Sequence, residues 1–180
     1  MTAPIKPADK IQYGFKRISP ANLLEPDDHP SWPCRTRGEK WVRECLKPQL
    51  ESNVPEEIAF LFETARGSMI YGMFFLPLAS LAAEQCCRVL EAAVRHRCKQ
   101  LGLLKKKVGK AKALPGIPFV ELIELLQHDG KIPEGDLDAW KSMVFLRNRF
   151  SHPTSQTILS LKDAAGVLTY HSELLNQLFK

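Results

Sequence analysis

PLASLAAEQCCRVLEAAVR, residues 77 to 95, decides how the rest of the chain is read. Proline suits the first turn of a helix, where its missing N–H costs nothing. Leu78, Ala82, Cys86, Val89 and Ala93 then recur every three or four positions, which places them on one helical face. Glu84, Arg88, Glu91 and Arg95 run along the opposite line, and two Glu-to-Arg pairs at i,i+4 support a charged face. The spacing predicts a helix from Pro77 to about Leu101.

Similar patterns flank it. Met69 to Ala83 is the most apolar stretch, but it is too short to span a bilayer and is broken by Gly72 and Pro77. It reads as a helix junction buried in a core, with no membrane role. Pro55, Glu56 and Glu57 mark an earlier helix start, since acids favour the positive end of the dipole. Ile58, Leu61, Phe62, Ala65 and Met69 keep one face of that helix apolar. Further helices are expected over Phe119 to Gln127, closed by Asp129-Gly130, and over Asp136 to Ser151, closed by Pro153. A last one, Leu159 to Phe179, uses Leu161, Ala165, Leu168, Leu175 and Leu178. No strand-like alternation or repeat stands out.

The expected fold is all-α: a bundle of four to five helices over residues 54–180, preceded by an irregular Pro-rich arm, residues 1–53. The arm carries Pro4, Pro7, Pro20, Pro26, Pro30, Pro33 and Pro48. Gly38 to Lys47 can make one short helix in it, and Trp32 and Trp41 are expected to pack it on the bundle.

A 44% hydrophobic and 25% charged composition over 180 residues fits one soluble domain with an appendage. The net charge of +5 suits an anionic partner without requiring one. Five cysteines, with Cys86 and Cys87 adjacent and no C-x-x-C, form neither a disulfide framework nor a zinc site. They read as buried reduced thiols, with the cytoplasm as compartment. The N-terminal MTAPIKPADK lacks the apolar run of a secretory signal. His29, His96, His128 and His171 have no metal-ligand spacing, so no metal or other cofactor is expected.

The helix over Asp136 to Ser151 ends unusually, in FLRNRFSHP (145–153). Its apolar stripe of Leu137, Trp140 and Val144 continues onto Arg147, while Lys141, Phe145, Asn148 and His152 share the neighbouring row. A guanidinium following a core stripe needs a partner or a wet cavity, because burying an unpaired charge is costly. That points to a cleft at the bundle end or to a subunit interface. Pro153 pushes His152 out of helical conformation, so the imidazole can turn back towards Arg147. An imidazole near neutrality beside a fixed guanidinium suits acid–base chemistry on a phosphodiester. Basic residues at a helix C-terminus also complement its dipole, which is the plain alternative.

Residues 95 to 112 hold eight basic side chains and no acid. Six residues separate Gly102 from Gly109 and Ala111 follows the Gly-Lys, so this is not a phosphate loop. Lys105, Lys106, Lys107 and Lys110, with Arg149, are the candidate RNA-binding cations, set against a solvated linker.

Arg147-Asn148-Arg149-Phe150-Ser151-His152 realises R-N-x-x-x-H at a helix end, and this resembles the signature of HEPN domains. LRNRFSHP, the preceding FVELIELLQHDGKIPEGDLDAW and the earlier LASLAAEQCCRVLEAAVR stand in the order those domains show, over residues 54–180. The resemblance implies a small, dimeric helical bundle. Many such domains are metal-independent ribonucleases of toxin–antitoxin, abortive-infection and other defence systems, and others bind or scaffold without cutting. Arg147 and His152 match the catalytic positions, and Asn148 matches the polar residue that often follows the arginine. Glu84 is the candidate for an acid that some relatives carry on the preceding long helix. In one subgroup a partner nucleotidyltransferase modifies a tyrosine two residues after the histidine; Thr154 stands there, a departure from that pattern. The expected function is therefore a metal-independent endoribonuclease, homodimeric, acting on RNA and held by an antitoxin or other protein partner. A non-catalytic module binding RNA, a nucleotide or a protein, and an interaction protein whose Arg147 makes a structural salt bridge, remain the alternatives.

Overall fold

The computed structural model describes residues 18–26, 38–103, 116–151 and 161–180. Among them every regular element is helical: α1 (Glu39–Leu46), α2 (Glu56–Tyr71), α3 (Pro77–Gln100), α4 (Phe119–His128), a 3-10 turn (Glu134–Asp136), α5 (Leu137–Ser151) and α6 (Leu161–Leu178). The all-α expectation holds: among the described residues five α-helices lie within 54–180, and α1 is the short helix expected over Gly38 to Lys47. None of these helices is long and apolar enough to cross a membrane.

α3 is the centre, in contact with α2, α4, α5 and α6. Its 24 residues span about 36 Å. Ala79, Ala82, Ala83, Cys86, Cys87, Val89, Leu90, Ala93, Val94 and Cys98 are all buried, a band far wider than the single line legible in the sequence. Small side chains along that band let neighbouring helices come close. At the α2–α3 corner, a Cβ on Gly72 would lie 2.9 Å from the Met69 carbonyl and 3.1 Å from Ala79, so only glycine fits without displacing backbone. Leu76 and Pro77 are buried beside it, as expected for a junction inside the core.

Cys45, Cys86, Cys87 and Cys98 are buried and unbridged. Burial pushes the thiols of Cys45 and Cys87 up to about 12 and that of Cys98 to about 11, so they stay protonated and pack as small apolar groups.

The segment before α2 belongs to the same core. Trp41 is 4% exposed, and its indole Nε1 donates to the carbonyls of Met69 and Ile70, each 3.2 Å away. Those carbonyls lie in the last turn of α2, where they also accept from the Gly72 and Met73 N–H groups at 3.1 and 3.2 Å. α1 thus adds a second donor at the end of α2 while burying a large ring. Trp32, expected to act alongside Trp41, lies outside the described residues. Buried Arg66 donates to the Pro48 carbonyl, pairs with Glu63 at 3.1 Å and sits 5.1 Å from the Phe62 ring. Glu51 N–H donates to Asn176 Oδ1 at 2.8 Å, and Asn176 Nδ2 donates to the Gln49 carbonyl at 2.9 Å, tying this segment to α6.

α4 ends where the sequence signals it. Gly130 adopts φ 73°, and Lys131 N–H folds back onto the Leu126 carbonyl at 2.8 Å, closing the helix. α5 then enters with Trp140 and Met143 buried, and α6 closes the bundle with Ala164, Leu168, Leu175 and Leu178.

His171 on α6 is 2% exposed; its Nδ1–H donates to the Val167 carbonyl at 2.8 Å, and Nε2 has no partner among the described residues. Burial lowers its pKa from 6.5 to about 4, against the smaller upward effect of the Val167 hydrogen bond. Between those values the unfolded chain takes up a proton that the folded chain refuses, so stability rises with pH across the window and is lost as pH falls. This group alone should cost on the order of 3 kcal/mol between pH 7 and pH 4. Urea unfolding at stepped pH is expected to show that slope, and His171→Leu to flatten it. An unchanged slope in the variant would place the acid sensitivity elsewhere.

Candidate functional site

Trp140 and Met143 anchor α5 in the core, and Val144 is half-buried about two turns before the helix end. The stripe then reaches Arg147, whose side chain is 33% exposed. The partner required of a charge in that position is Glu91 of α3. Arg147 Nε donates to Glu91 Oε2 at 2.7 Å. The other oxygen, Oε1, accepts from Arg95 Nη2 at 2.7 Å and Nε at 3.1 Å. Arg95 also donates to the Ile117 carbonyl at 3.1 Å, which fastens the entry of α4 to the group. One carboxylate, 13% exposed, therefore lies between two guanidinium groups brought from two helices.

Burial by itself would raise the Glu91 pKa. Hydrogen bonds from Arg95 and Arg147, with their charges, outweigh burial and hold the carboxyl below its ordinary range. Glu91 is ionised at neutral pH and committed as an acceptor on both oxygens, so it orients the arginines and does not serve as a proton carrier. The three side chains carry a net charge of +1.

A cavity of about 310 Å³ opens beside them, lined by Glu91, Arg95, Arg147 and Asn148, with Ile117, Phe119 and Val144 as apolar wall. Arg147 Nη1 approaches Asn148 Oδ1 at 3.3 Å, and Nη2 has no protein partner among the described residues. An anion entering the cavity meets fixed N–H donors and a carboxamide against a partly apolar background. That arrangement favours a phosphate group, whose oxygens match the planar fork of arginine.

The expected residues divide clearly. Arg147 and Asn148 share the cavity, and Arg149 is exposed on α5 without lining it. Glu84 is elsewhere: it pairs with Arg88 at 2.5 Å and lines a separate hollow with Thr64, Ser68 and Leu81. The acid facing Arg147 is Glu91, seven residues and two turns further along α3. The sequence contained the i,i+4 pair with Arg95 but not the approach of α5, and Glu84 with Arg88 has the same spacing. His152, Lys105, Lys106, Lys107 and Lys110 lie outside the described residues. Among the described residues, no group of three His, Cys, Asp or Glu side chains is placed to hold a metal.

No protein-family model, curated protein or solved structure matches this chain.

The two acids should therefore behave differently on neutralisation. Glu91→Gln removes charge-assisted bonds from two half-buried arginines and should cost roughly 1–3 kcal/mol of stability. Glu84→Gln loosens only a pair whose arginine is exposed and should cost less than about 0.5 kcal/mol. Thermal melts of the two variants check this. Equal losses would remove Glu91 as the acid that positions Arg147.

Proposed function

We propose that this chain is a metal-independent endoribonuclease of HEPN type that works in a toxin–antitoxin or phage-defence setting as a homodimer. The observation that carries the proposal is Arg147, oriented by Glu91 with part of its guanidinium facing a cavity it shares with Asn148. In this reading the ribose 2′-OH attacks the adjacent phosphorus, the bond to the 5′-oxygen breaks, and a 2′,3′-cyclic phosphate forms. His152 takes and returns the protons, Arg147 stabilises the negative charge that develops on the phosphorane, and Asn148 orients the phosphate or the imidazole. The chemistry requires the 2′-OH, so DNA is spared. Lys105, Lys106, Lys107, Lys110 and Arg149 supply the field that draws the RNA in. An antitoxin or other protein partner holds the activity in check.

The 2.7 Å contact with Glu91 also favours a second reading, in which Arg147 is a structural ion pair and the chain is a non-catalytic binding module. Single substitutions separate the two. Under the first reading, purified protein cuts mixed RNA in EDTA, and His152→Ala and Arg147→Ala each abolish cleavage while remaining folded. Their effects should not add, because groups acting in one transition state lose most of their effect when either is removed. An Arg147→Ala protein that unfolds many degrees lower, from a wild type that binds RNA without cutting it, selects the second reading.

Replacing Lys105, Lys106 and Lys107 together by Gln should weaken RNA binding and flatten the dependence of log Kd on log salt by about 2 to 3. An unchanged slope would make that segment a linker.

A further inference from the structure

We propose that Phe145 is the platform on which an unpaired base of the RNA stacks, beside Asn148 at the rim of the cavity in which Arg147 holds a phosphate, so that the substrate is single-stranded. This rests on the proposed role of Arg147 and adds a residue that the catalytic motif does not contain. Phe145 is 65% exposed on α5. Lys141, Asn148 and Arg149, one turn to either side of it, are exposed as well, and Asp138 two turns away is the acid on that face. Val144, the preceding residue, lines the cavity together with Arg147 and Asn148. The ring therefore stands outside the cavity wall, one turn from Asn148 on the same side of α5, while Arg147 at i+2 reaches the cavity from the other side.

Phe60 on α2 gives a useful contrast. It is 71% exposed, but Glu56, Glu57 and Glu63 surround it at the same helical spacings and are themselves exposed. That face repels a polyanion, whereas the face around Phe145 attracts one. An aromatic ring among cations offers what unpaired RNA presents: phosphates for the charges and a flat π-surface for the ring. Bases inside an A-form duplex are already stacked on one another and cannot lie on a side chain, so duplex RNA gains only the charges. Every base has a π-face, so the platform selects for unpaired structure and is tolerant of base identity.

The test uses a fluorescein-labelled 2′-O-methyl oligouridylate, which lacks the attacking hydroxyl, and a matched strand whose bases have been removed. Phe145→Ala should weaken binding of the oligouridylate roughly 10-fold and leave the abasic strand unaffected. Phe145→Trp should keep the affinity, with its indole fluorescence quenched on binding. The ring is already mostly in solvent, so both variants should melt with the wild type. Equal affinity of wild type and Phe145→Ala for the oligouridylate would overturn the proposal, as would an equal loss on both strands. If sedimentation shows that Phe145→Ala turns a dimer into a monomer and the loss follows from that, the ring is a contact between copies and not a base platform. A wild type that binds neither strand removes both this proposal and the ribonuclease reading. Phe145-dependent binding by a wild type that cuts no RNA keeps the platform and removes only catalysis.

Discussion

Four helices pack on α3, and that limits what its side chains can be. A helix contacted from several directions has little circumference left for solvent, so large residues on every side would hold its neighbours apart. The alanines and cysteines buried along α3 meet this limit, and Gly72 meets it at the corner where α2 turns into α3. Glu84, Arg88, Glu91 and Arg95 keep to the remaining strip, while Arg97 packs over the Phe179 ring. A charge on that strip either reaches water, as Arg88 does, or is met by the next helix.

Glu91 is the second case. α5 approaches α3 at the turn that carries it, and an unaccompanied carboxylate under an incoming helix would cost several kcal/mol. Arginines from both sides meet that cost with hydrogen bonds to both oxygens. The group adds little net stability beyond what apolar packing there would give, but it fixes geometry. Arg147 sits one turn before the end of α5, and Glu91 holds its guanidinium against the long central rod. A phosphate-binding group benefits from that fixation, because a pre-oriented fork loses less freedom when it binds.

Much of the fold was legible because helix starts and stops carry local signatures. Pro55 with two following acids, Pro77, and Asp129-Gly130 each mark a boundary within one or two residues of where α2, α3 and α4 begin or end. The short helix at Glu39–Leu46 was legible too, as the run from Gly38 to Lys47. Its packing on the bundle through Trp41 was expected as well, but not the carbonyls, 28 and 29 residues away, to which the indole donates. Half of the site was legible for the same reason: Arg147 broke the period of its own helix. Its partner was not, because Glu84 and Glu91 stand in identical local patterns and only the crossing of α5 over α3 distinguishes them.

The links between the segment after α1 and the end of α6 bear on how the chain reaches this structure. Glu51 and Asn53 are joined to Asn176 and Phe179 across separations of 125 and 126 residues. Bonds of such high contact order form only after nearly the whole chain has been threaded into place, while α2–α3 and α4–α5 can form from near neighbours. During synthesis the first of these residues must wait for the last. The same adjacency holds residues 51–53 beside 176–179, so the stretch from α2 to α6 forms one long loop whose ends meet, and closing it carries the largest chain-entropy cost in the fold.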